Sequence, residues 1–328
     1  MKKIFCFTVA VLLILSCLCG CSDTRTDGGV DIVCTVFPIY DWVRNIVGEQ
    51  EGISITLLVK NGTDPHSYSP TPSDIAKISS CDLLVYVGGE SDSWVTDVLG
   101  GSVNEEMKVV KLLETLGDRA FVEKEIEGAS CGDDCGEHGH EHDHTHEDGA
   151  YDEHIWLSLK NAEFLCGELE TSLSRLVPDR ADAFSEKANA YKDKLKALDS
   201  SYEETAASSE SKVLLFADRF PFRYLTEDYG IEYFAAFSGC SADVEASFET
   251  VTYLAKKIDE LSLKYVVILE SSDTALADTV ISSSTEKNAE IIVMDSMQSI
   301  TSSDIENGVS YLSVMEKNLA VVTTAFGK

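Results

Sequence analysis

The sequence predicts an α/β protein with two lobes, each a mainly parallel sheet flanked by helices, joined by one long rigid helix. Three observations support this fold class. Short apolar segments alternate with helical patterns in both halves of the chain, which is typical of parallel sheets. A single amphipathic helix separates the halves. The chain has 328 residues, of which 44% are apolar, enough for about two domains with buried cores.

The first lobe is predicted at residues 30–177. Its strand candidates are short apolar runs bounded by turn signals. The predicted strands are Val30–Phe37, Ile53–Leu58, Asp82–Val87 and a short one at Val109 and Val110. The predicted helices start at Pro38 and Ser73 and cover Trp94–Leu99 and Asn161–Leu176.

The linking helix is predicted at residues 178–207 and opens at Pro178. Its apolar residues recur at spacings of 4, 3, 4, 3 and 4, which places them on one face of a straight helix. These residues are Phe184, Ala188, Tyr191, Leu195, Leu198 and Tyr202. Such a helix is long enough to contact both lobes as a rigid strut.

The second lobe is predicted at residues 208–328, where strands and helices alternate again. The predicted strands are Val213–Ala217, Ile231–Phe237, Tyr265–Leu269 and Ile291–Met294. The predicted helices are Pro221–Tyr229, Phe248–Leu261, Thr274–Asn288 and Val309–Leu319.

Residues 1–20 are predicted to be a signal peptide and residues 21–29 a lipidated linker. Lys2 and Lys3 precede the apolar run Ile4–Leu18, which is shorter than the roughly 20 residues that a membrane-spanning helix needs. The sequence Leu18-Cys19-Gly20-Cys21 then resembles a bacterial lipobox, in which Cys21 is lipidated. We therefore expect an extracytoplasmic protein that is lipid-anchored to the bacterial cell membrane.

The charge balance argues against nucleic acid as a partner. The chain carries 57 acidic and 26 basic residues, a formal charge of −31, whereas nucleic-acid-binding domains are basic. An acidic surface attracts cations, but salt screens its field within roughly 8 Å, so the charge alone defines no site.

Six of the seven histidines lie between Cys131 and Trp156. From about residue 117 to 149 the apolar residues show neither helical nor strand periodicity, which predicts a mobile surface loop. Five histidines there alternate with acidic or small residues: His138, His140, His142, His144 and His146. His-rich tracts bind metals, so we interpret these five as an accessory loop that captures metal weakly. The alternative is an acidic loop without a binding role.

Two pairs of cysteines after the signal peptide allow a prediction. Cys34 and Cys81 lie in apolar contexts and are predicted to be thiols of the core. Cys131 and Cys135 flank Gly-Asp-Asp beside the histidine-rich tract. They form either a small disulfide, which suits an extracytoplasmic protein, or a metal site.

Two further histidines are candidate ligands of a structured site. His154 follows two acidic residues and opens an apolar run. His66 lies in a loop after the second predicted strand, where Asn61-Gly62 and Asp64-Pro65 indicate a turn. Ligands of open α/β sheets bind beyond the carboxyl ends of the strands, so His66 is placed where a ligand would bind. The alternative is that His66 is a loop histidine without a functional role.

Several short motifs follow one another along nearly all of the chain after the signal peptide. These segments are Asp64–Tyr68 with Pro72–Asp74, Cys81–Tyr86, Asp152–Ser158, Glu245–Ser247, Glu270–Ser272 and Met294–Ser296. Together and in this order they resemble the metal-binding solute receptors of ABC importers. These are the zinc- and manganese-binding lipoproteins of the ZnuA/TroA type, also called cluster A-I.

The resemblance implies one metal ion between two lobes, delivered to an ABC-type metal permease. By motif position, His66 and His154 match ligands from the first lobe, and Asp295 matches the acidic ligand of the second lobe. It implies a binding protein and not an enzyme. We expect a monomer.

The sequence departs from the family at the third ligand. The family has histidine or glutamate in an HxAFxY segment, whereas counting back from Tyr224 and Gly230 puts Arg219 at that position. Arginine offers no lone pair to a metal.

Asp218 is therefore predicted to be the third ligand, provided that Pro221 marks a shift of one residue. It lies at the end of a predicted strand, where site residues occur. The alternatives are that Asp218 pairs with Arg219 or Arg223, or caps the next helix. Glu270, at another strand end, is the reserve ligand.

Two imidazoles and two carboxylates suit zinc or manganese. The histidine-rich loop favours Zn²⁺ as the transported ligand, and Mn²⁺ is the alternative. Other functional classes are a zinc-dependent hydrolase and a metal-buffering adhesin. A hydrolase is disfavoured because the sequence holds no HExxH motif and every candidate ligand is assigned to the metal.

Overall fold

The structure, a computed structural model, describes residues 29–124, 150–239 and 246–327. Two four-stranded sheets dominate these ranges, and every pairing between their named strands is parallel. Helices cover the sheets, and one long helix lies between the two sheets in sequence. The predicted fold class is confirmed.

The first sheet has the strand order β2-β1-β3-β4. All four residues of β3 are buried, as expected for a central parallel strand with helices on both faces. The strands are β1 (Val30–Cys34), β2 (Ile53–Leu57), β3 (Leu83–Tyr86) and β4 (Lys108–Lys111). The helices are α1 (Phe37–Val47), α2 (Pro72–Ser80), α3 (Trp94–Leu99), α4 (Leu112–Leu116) and α5 (Leu159–Leu176).

The second sheet has the order β6-β5-β7-β8, which repeats the arrangement of the first. The strands are β5 (Val213–Phe220), β6 (Glu232–Ser238), β7 (Tyr265–Leu269) and β8 (Glu290–Met294). The helices after the connecting helix α6 (Ala181–Ala207) are α7 (Arg223–Tyr229), α8 (Phe248–Leu261), α9 (Ala275–Ser283), α10 (Ser302–Glu306) and α11 (Tyr311–Ala325).

Helix α6 has 27 residues and follows a short 3-10 turn that opens at Pro178. The six residues of its predicted apolar stripe are all buried, which confirms the stripe. The helix packs against α1 and α5 of the first lobe and α11 of the second. The Tyr202 hydroxyl donates to the Met315 carbonyl oxygen at 2.7 Å, so a buried polar bond joins the helix to the second lobe.

The main hydrophobic core runs through both lobes. Trp156 lies in this core, and its indole Nε1 donates to the Ser296 carbonyl oxygen at 2.9 Å. The Tyr311 hydroxyl donates to the Trp156 carbonyl oxygen at 2.7 Å. Because these bonds cross between the lobes inside the core, they fix the segment after His154 against the second lobe.

Some predicted boundaries are wrong for identifiable reasons. β1 ends at Cys34 and not Phe37, because α1 already begins at Phe37 with a proline in its first turn. β5 continues past Ala217 to Phe220 through a bulge in its pairing with β6. The predicted helix Thr274–Asn288 is shorter, at Ala275–Ser283.

The C-terminal prediction also needs correction. The last helix starts at Tyr311, where Ser310 forms a capping box, and extends to Ala325 beyond the predicted end at Leu319. A short helix, α10, precedes it and was not predicted. Its N-cap, Thr301, also forms a capping box with Asp304, a signal that is present in the sequence.

Cys34 and Cys81 are buried free thiols, as predicted, and Cys166 is a third. The predicted lipidation site Cys21, the Cys131–Cys135 pair and the five loop histidines fall outside the described residues. Across the ranges that are described, no helix combines the length and the hydrophobicity needed to cross a membrane.

Candidate metal centre

His66 is positioned by a short 3-10 turn, Pro65–Ser67, in the loop after β2. Asp64 caps this turn: its Oδ1 accepts from the His66 backbone amide at 3.0 Å and lies 2.7 Å from Nδ1 of the ring. Pro65 supports the turn because its fixed φ suits the first helical position. The local sequence Asp-Pro-His therefore orients the ring through its own backbone.

His154 repeats this arrangement at the entrance to another 3-10 turn, Ile155–Leu157. Asp152 Oδ1 accepts from the His154 amide at 2.9 Å and lies 2.9 Å from Nδ1 of its ring. The His154 side chain is fully buried. Burial alone would lower the pKa of His154, but the hydrogen bond and charge of Asp152, with the charge of Glu153, outweigh it and raise the pKa.

The two imidazoles come together. Their ring centroids lie 5.4 Å apart with an angle of 35° between the planes. The Nε2 atoms of His66 and His154 are both buried without a hydrogen-bond partner among the described residues. Because each Nδ1 faces a carboxylate, it carries the proton and leaves the Nε2 lone pair available, the arrangement of metal-binding histidines.

Glu153 adds negative charge beside this pair. Its Oε1 lies 3.8 Å from Nε2 of His66, and its carboxylate accepts from the Ser91 backbone amide at 3.2 Å. Ser91 follows β3, so this bond places Glu153 and its neighbour His154 beyond the carboxyl end of that strand. His154 and His66 therefore meet at the edge of the first sheet where parallel α/β folds bind ligands.

Gly239, directly after β6 of the second lobe, approaches His154 closely. A Cβ added at this glycine would stand 3.0 Å from Cε1 of His154 and 2.9 Å from the Phe220 carbonyl oxygen. A larger residue would therefore displace the ring, so the second lobe closes directly onto His154.

Three carboxylates of the second lobe lie at the ends of adjacent parallel strands. Asp218 is near the end of β5, and Glu270 and Asp295 directly follow β7 and β8. All three therefore lie at one edge of the second sheet. Trp156, two residues beyond His154, bonds to Ser296, the neighbour of Asp295, so this edge faces the first lobe.

The three carboxylates differ in the hydrogen bonds that they already accept. Asp218 accepts the Arg219 amide at 2.7 Å and the Leu269 amide at 2.9 Å, one on each oxygen. Glu270 accepts the amide and hydroxyl of Ser296, both at 2.9 Å. These bonds direct both carboxylates toward their own lobe.

Asp295 resembles the two histidine-orienting aspartates. Its Oδ1 accepts from the Met297 amide at 2.8 Å, again two residues further along the chain. Met297 has a left-handed φ of 62°, which is uncommon for a non-glycine residue and typical of strained sites. Burial and the neighbouring Glu270 carboxylate raise the pKa of Asp295 to about 6.

The structure therefore brings His66 and His154 together and leaves the second-lobe carboxylates engaged with their own backbone. Across residues 29–124, 150–239 and 246–327, no group of three or more His, Cys, Asp or Glu side chains is close enough to hold a metal ion. The two Nε2 atoms, which accept no hydrogen bond from the described residues, are the part of the site that fits a metal directly.

Sequence reasoning missed the supporting residues Asp64 and Asp152 as a pair, although both precede a histidine by two positions. It also missed the contact between Arg219 and Asp64. The Arg219 guanidinium lies 2.9 Å from Asp64 Oδ2 and thus joins the lobes. The repeated Asp-x-His pattern was the available signal for the aspartates.

The fold defines a two-lobed α/β binding protein with a single connecting helix. Residues 32–325 match the profile of the family described as zinc-uptake complex component A, periplasmic (ZnuA). The chain belongs to this ZnuA family.

Similar proteins include the zinc-binding lipoprotein AdcA of Streptococcus pneumoniae serotype 4, which is 33% identical over 94% of this chain and 59% of AdcA. The chain thus spans about three fifths of AdcA. The high-affinity zinc uptake system protein ZnuA of Bacillus subtilis is 29% identical over 95% of this chain and 94% of that protein.

Solved structures support the same fold. The Zn(II)-bound ZnuA-like domain of Streptococcus pneumoniae AdcA has a TM-score of 0.69 at 29% identity, and covers 92% of this chain and 100% of that domain. The zinc-binding protein TroA of Treponema pallidum has a TM-score of 0.70 at 22% identity, covering 92% of this chain and 100% of TroA.

Proposed function

We propose that this protein is an extracytoplasmic solute-binding lipoprotein that binds one Zn²⁺ ion between its lobes and delivers it to an ABC-type permease. The observation that carries the proposal is the pair of buried Nε2 atoms of His66 and His154, which have no hydrogen-bond partner among the described residues. Membership of the ZnuA family supports zinc as the cargo.

The proposed ligands are His66 and His154 from the first lobe and Asp295 from the second. Asp295 uses Oδ1 to accept the Met297 amide, and its position beyond β8 places it at the edge that faces the first lobe. Burial and the neighbouring Glu270 carboxylate raise the pKa of Asp295 and so disfavour its ionised form. A bound cation would compensate the charge of that form.

Asp218 is the proposed third ligand in chain order, and Glu270 is its reserve. Each oxygen of Asp218 accepts one backbone amide, and a carboxylate oxygen has a second lone pair. Coordination by Asp218 therefore does not require either amide bond to break. Glu270 holds three hydrogen bonds from Ser296 and Ser299, so its recruitment would cost more of the local structure.

Two nitrogen and two oxygen donors suit zinc in tetrahedral coordination, at about 2.0–2.2 Å from each donor. At equal availability the Irving–Williams order favours zinc over manganese. Because the proposed ligands leave no open position for substrate water, we propose binding and not catalysis.

Anchoring and capture complete the proposal. Lipidation of Cys21 would hold the protein at the outer face of the cell membrane. The five loop histidines would collect metal weakly near the lobes. Replacing Cys21 with serine should release the protein from the membrane fraction, whereas Ser22→Ala should leave it bound.

The decisive biological test is zinc uptake by cells that lack this protein. We expect the deletion to slow growth and ⁶⁵Zn accumulation in chelator-treated medium, and we expect the wild-type gene or added zinc to restore both. A gene with His66→Ala and His154→Ala should not restore either. Normal zinc uptake in the deletion strain would contradict the import function.

A further inference from the structure

A charged contact between the lobes joins Arg219 and Asp64, residues that lie 155 positions apart. Nη1 of Arg219 lies 2.9 Å from Oδ2 of Asp64, and both side chains are largely shielded, with 22% and 28% exposure. Arg219 lies on β5 of the second lobe, and Asp64 lies in the loop after β2 of the first. The contact therefore exists only while the lobes are together.

The same carboxylate holds the His66 ring. Oδ2 of Asp64 receives the guanidinium, while Oδ1 receives the backbone amide and the ring Nδ1 of His66. The Asp64 carboxylate thus connects Arg219 to His66.

The second lobe is built to aim Arg219 at this carboxylate. The pairing of β5 with β6 shifts register between Phe216 and Arg219, and such a bulge redirects side chains. Asp218 fixes the backbone of the bulge, because its Oδ1 accepts the Arg219 amide and its Oδ2 accepts the Leu269 amide.

The two histidines depend on the second lobe to different degrees. His154 is fully buried, and its neighbour Trp156 is held inside the continuous core. The His66 loop meets the second lobe through the Arg219 ion pair and through an exposed bond from Ser302 Oγ to Asn61 Oδ1 at 3.2 Å. Loss of Arg219 would therefore loosen His66 while His154 stays in place.

We propose that Arg219 is a positioning residue that couples lobe closure to zinc retention, by holding Asp64 and through it the His66 imidazole. This inference rests on the proposed zinc-binding function. With the lobes together, Asp64 keeps the proton on Nδ1 of His66 and leaves Nε2 for the metal. When the lobes separate, Arg219 leaves Asp64, the Asp64–His66 pair is held less firmly and the ion is released.

If Arg219 had no positioning role, its substitution would change zinc affinity in the opposite direction. A guanidinium beside a cation site repels the cation, so a charge without a positioning role would weaken binding, and its removal would tighten binding. The sign of the change on substitution therefore distinguishes the two roles of Arg219.

The test compares Arg219→Gln, Arg219→Lys and the matched variant Arg223→Gln in the full chain, with the five loop histidines replaced by serine. Arg223 lies four residues further on and faces the Phe121 ring, at 5.2 Å from its centroid. Zinc affinity is measured by competition with a chromophoric chelator, and zinc release is measured by rapid mixing with excess chelator.

We expect Arg219→Gln to weaken zinc binding by about 10- to 100-fold, the usual effect of losing a residue that supports a metal ligand, mainly through faster release. Arg219→Lys should recover part of this loss because it keeps the charge, and Arg223→Gln should bind like the parent. In an Asp64→Asn background, Arg219→Gln should have little further effect, since the pair acts as a unit.

Three results would overturn the proposal: unchanged affinity and release in Arg219→Gln, tighter binding in that variant, or effects that simply add to those of Asp64→Asn. Thermal unfolding of the metal-free variants checks that weaker zinc binding does not come from unfolding. We expect unchanged melting temperatures, because a partly exposed ion pair contributes little to stability. If the parent chain itself binds no zinc, the proposed function fails instead.

Discussion

His66 and His154 face each other with ring centroids 5.4 Å apart, and each ring presents an Nε2 atom that has no hydrogen-bond partner among the described residues. The rings come from loops 88 residues apart in sequence, and each is oriented by an aspartate two positions earlier. Burying two imidazole nitrogens without partners costs free energy, which a bound cation would recover. This pair is the basis of the predictions that follow.

The aspartates should control affinity through the histidines. We expect Asp64→Asn and Asp152→Asn each to weaken zinc binding by about 10- to 100-fold, because an amide does not hold the Nδ1 proton as a carboxylate does. Calorimetric titration with zinc measures the effect. The matched control is Asp193→Asn on the exposed face of α6, which should bind normally. Equal affinity in all three variants would contradict the proposed orientation of the rings.

The second-lobe carboxylates should differ in importance. We expect Asp295→Ala to weaken zinc binding by more than about 100-fold, beyond the usual effect of a residue that only supports a ligand. Asp218→Ala should weaken zinc binding and also lower the free energy of unfolding by about 1–3 kcal/mol, because it leaves the buried Leu269 amide unpaired.

Glu270→Gln provides the comparison, since glutamine keeps an acceptor for Ser296. We expect its zinc affinity to stay within a few-fold of the parent. If Asp218→Ala binds zinc normally and Glu270→Gln does not, then Glu270 is the ligand in place of Asp218.

The connecting helix should determine overall stability. Leu195 is fully buried on its apolar stripe, and we expect Leu195→Ala to lower the free energy of unfolding by about 2–5 kcal/mol through lost burial and a cavity. Denaturant unfolding measures the change. Lys194→Ala, one residue earlier on the exposed face, should change stability little. Similar effects for both variants would contradict the role of the stripe.

Asp228 should make stability depend on pH. Burial raises the pKa of its carboxyl to about 6, and the charges of Asp199 and Glu203 add to this, against the hydrogen bond from Ser158 and the charge of Lys160. In the unfolded chain the pKa is about 3.9. The stability that this group contributes is therefore fully present below about pH 4 and is lost as the pH rises to about 6.

Asp228→Asn removes this ionisation and keeps an acceptor for the Ser158 hydroxyl. We expect the variant to be more stable than the parent by about 2 kcal/mol at pH 7.5 and equally stable at about pH 4. Urea unfolding at the two pH values measures both. A gain of the same size at both values would show that the effect does not come from ionisation.

Local signals in the sequence were sufficient for much of the fold. The helix Phe248–Leu261 and the strand Tyr265–Leu269 have the predicted bounds. The helix starts at a serine N-cap, and the strand is a run of apolar residues. β5 was predicted too short because the strand passes through a bulge between Phe216 and Arg219, and the pairing that produces the bulge involves another strand.

The site could be predicted from sequence only where its geometry is local. Asp64 and Asp152 act on histidines two positions away, so the Asp-x-His pattern contains their role. The contact between Arg219 and Asp64 depends on how two sheets meet, and no local pattern encodes it. Likewise, the amides that engage Asp218 belong partly to another strand, which its own sequence neighbourhood does not indicate.

The most direct test of the account is zinc titration by calorimetry of the protein from Asp23 onward without residues 131–149. We predict one tightly bound zinc ion per chain, which is lost in both His66→Ala and His154→Ala and retained in the Asp193→Asn control. Loss of all tight binding on removal of residues 131–149, or tight binding that persists without both histidines, would contradict a zinc site at His66 and His154.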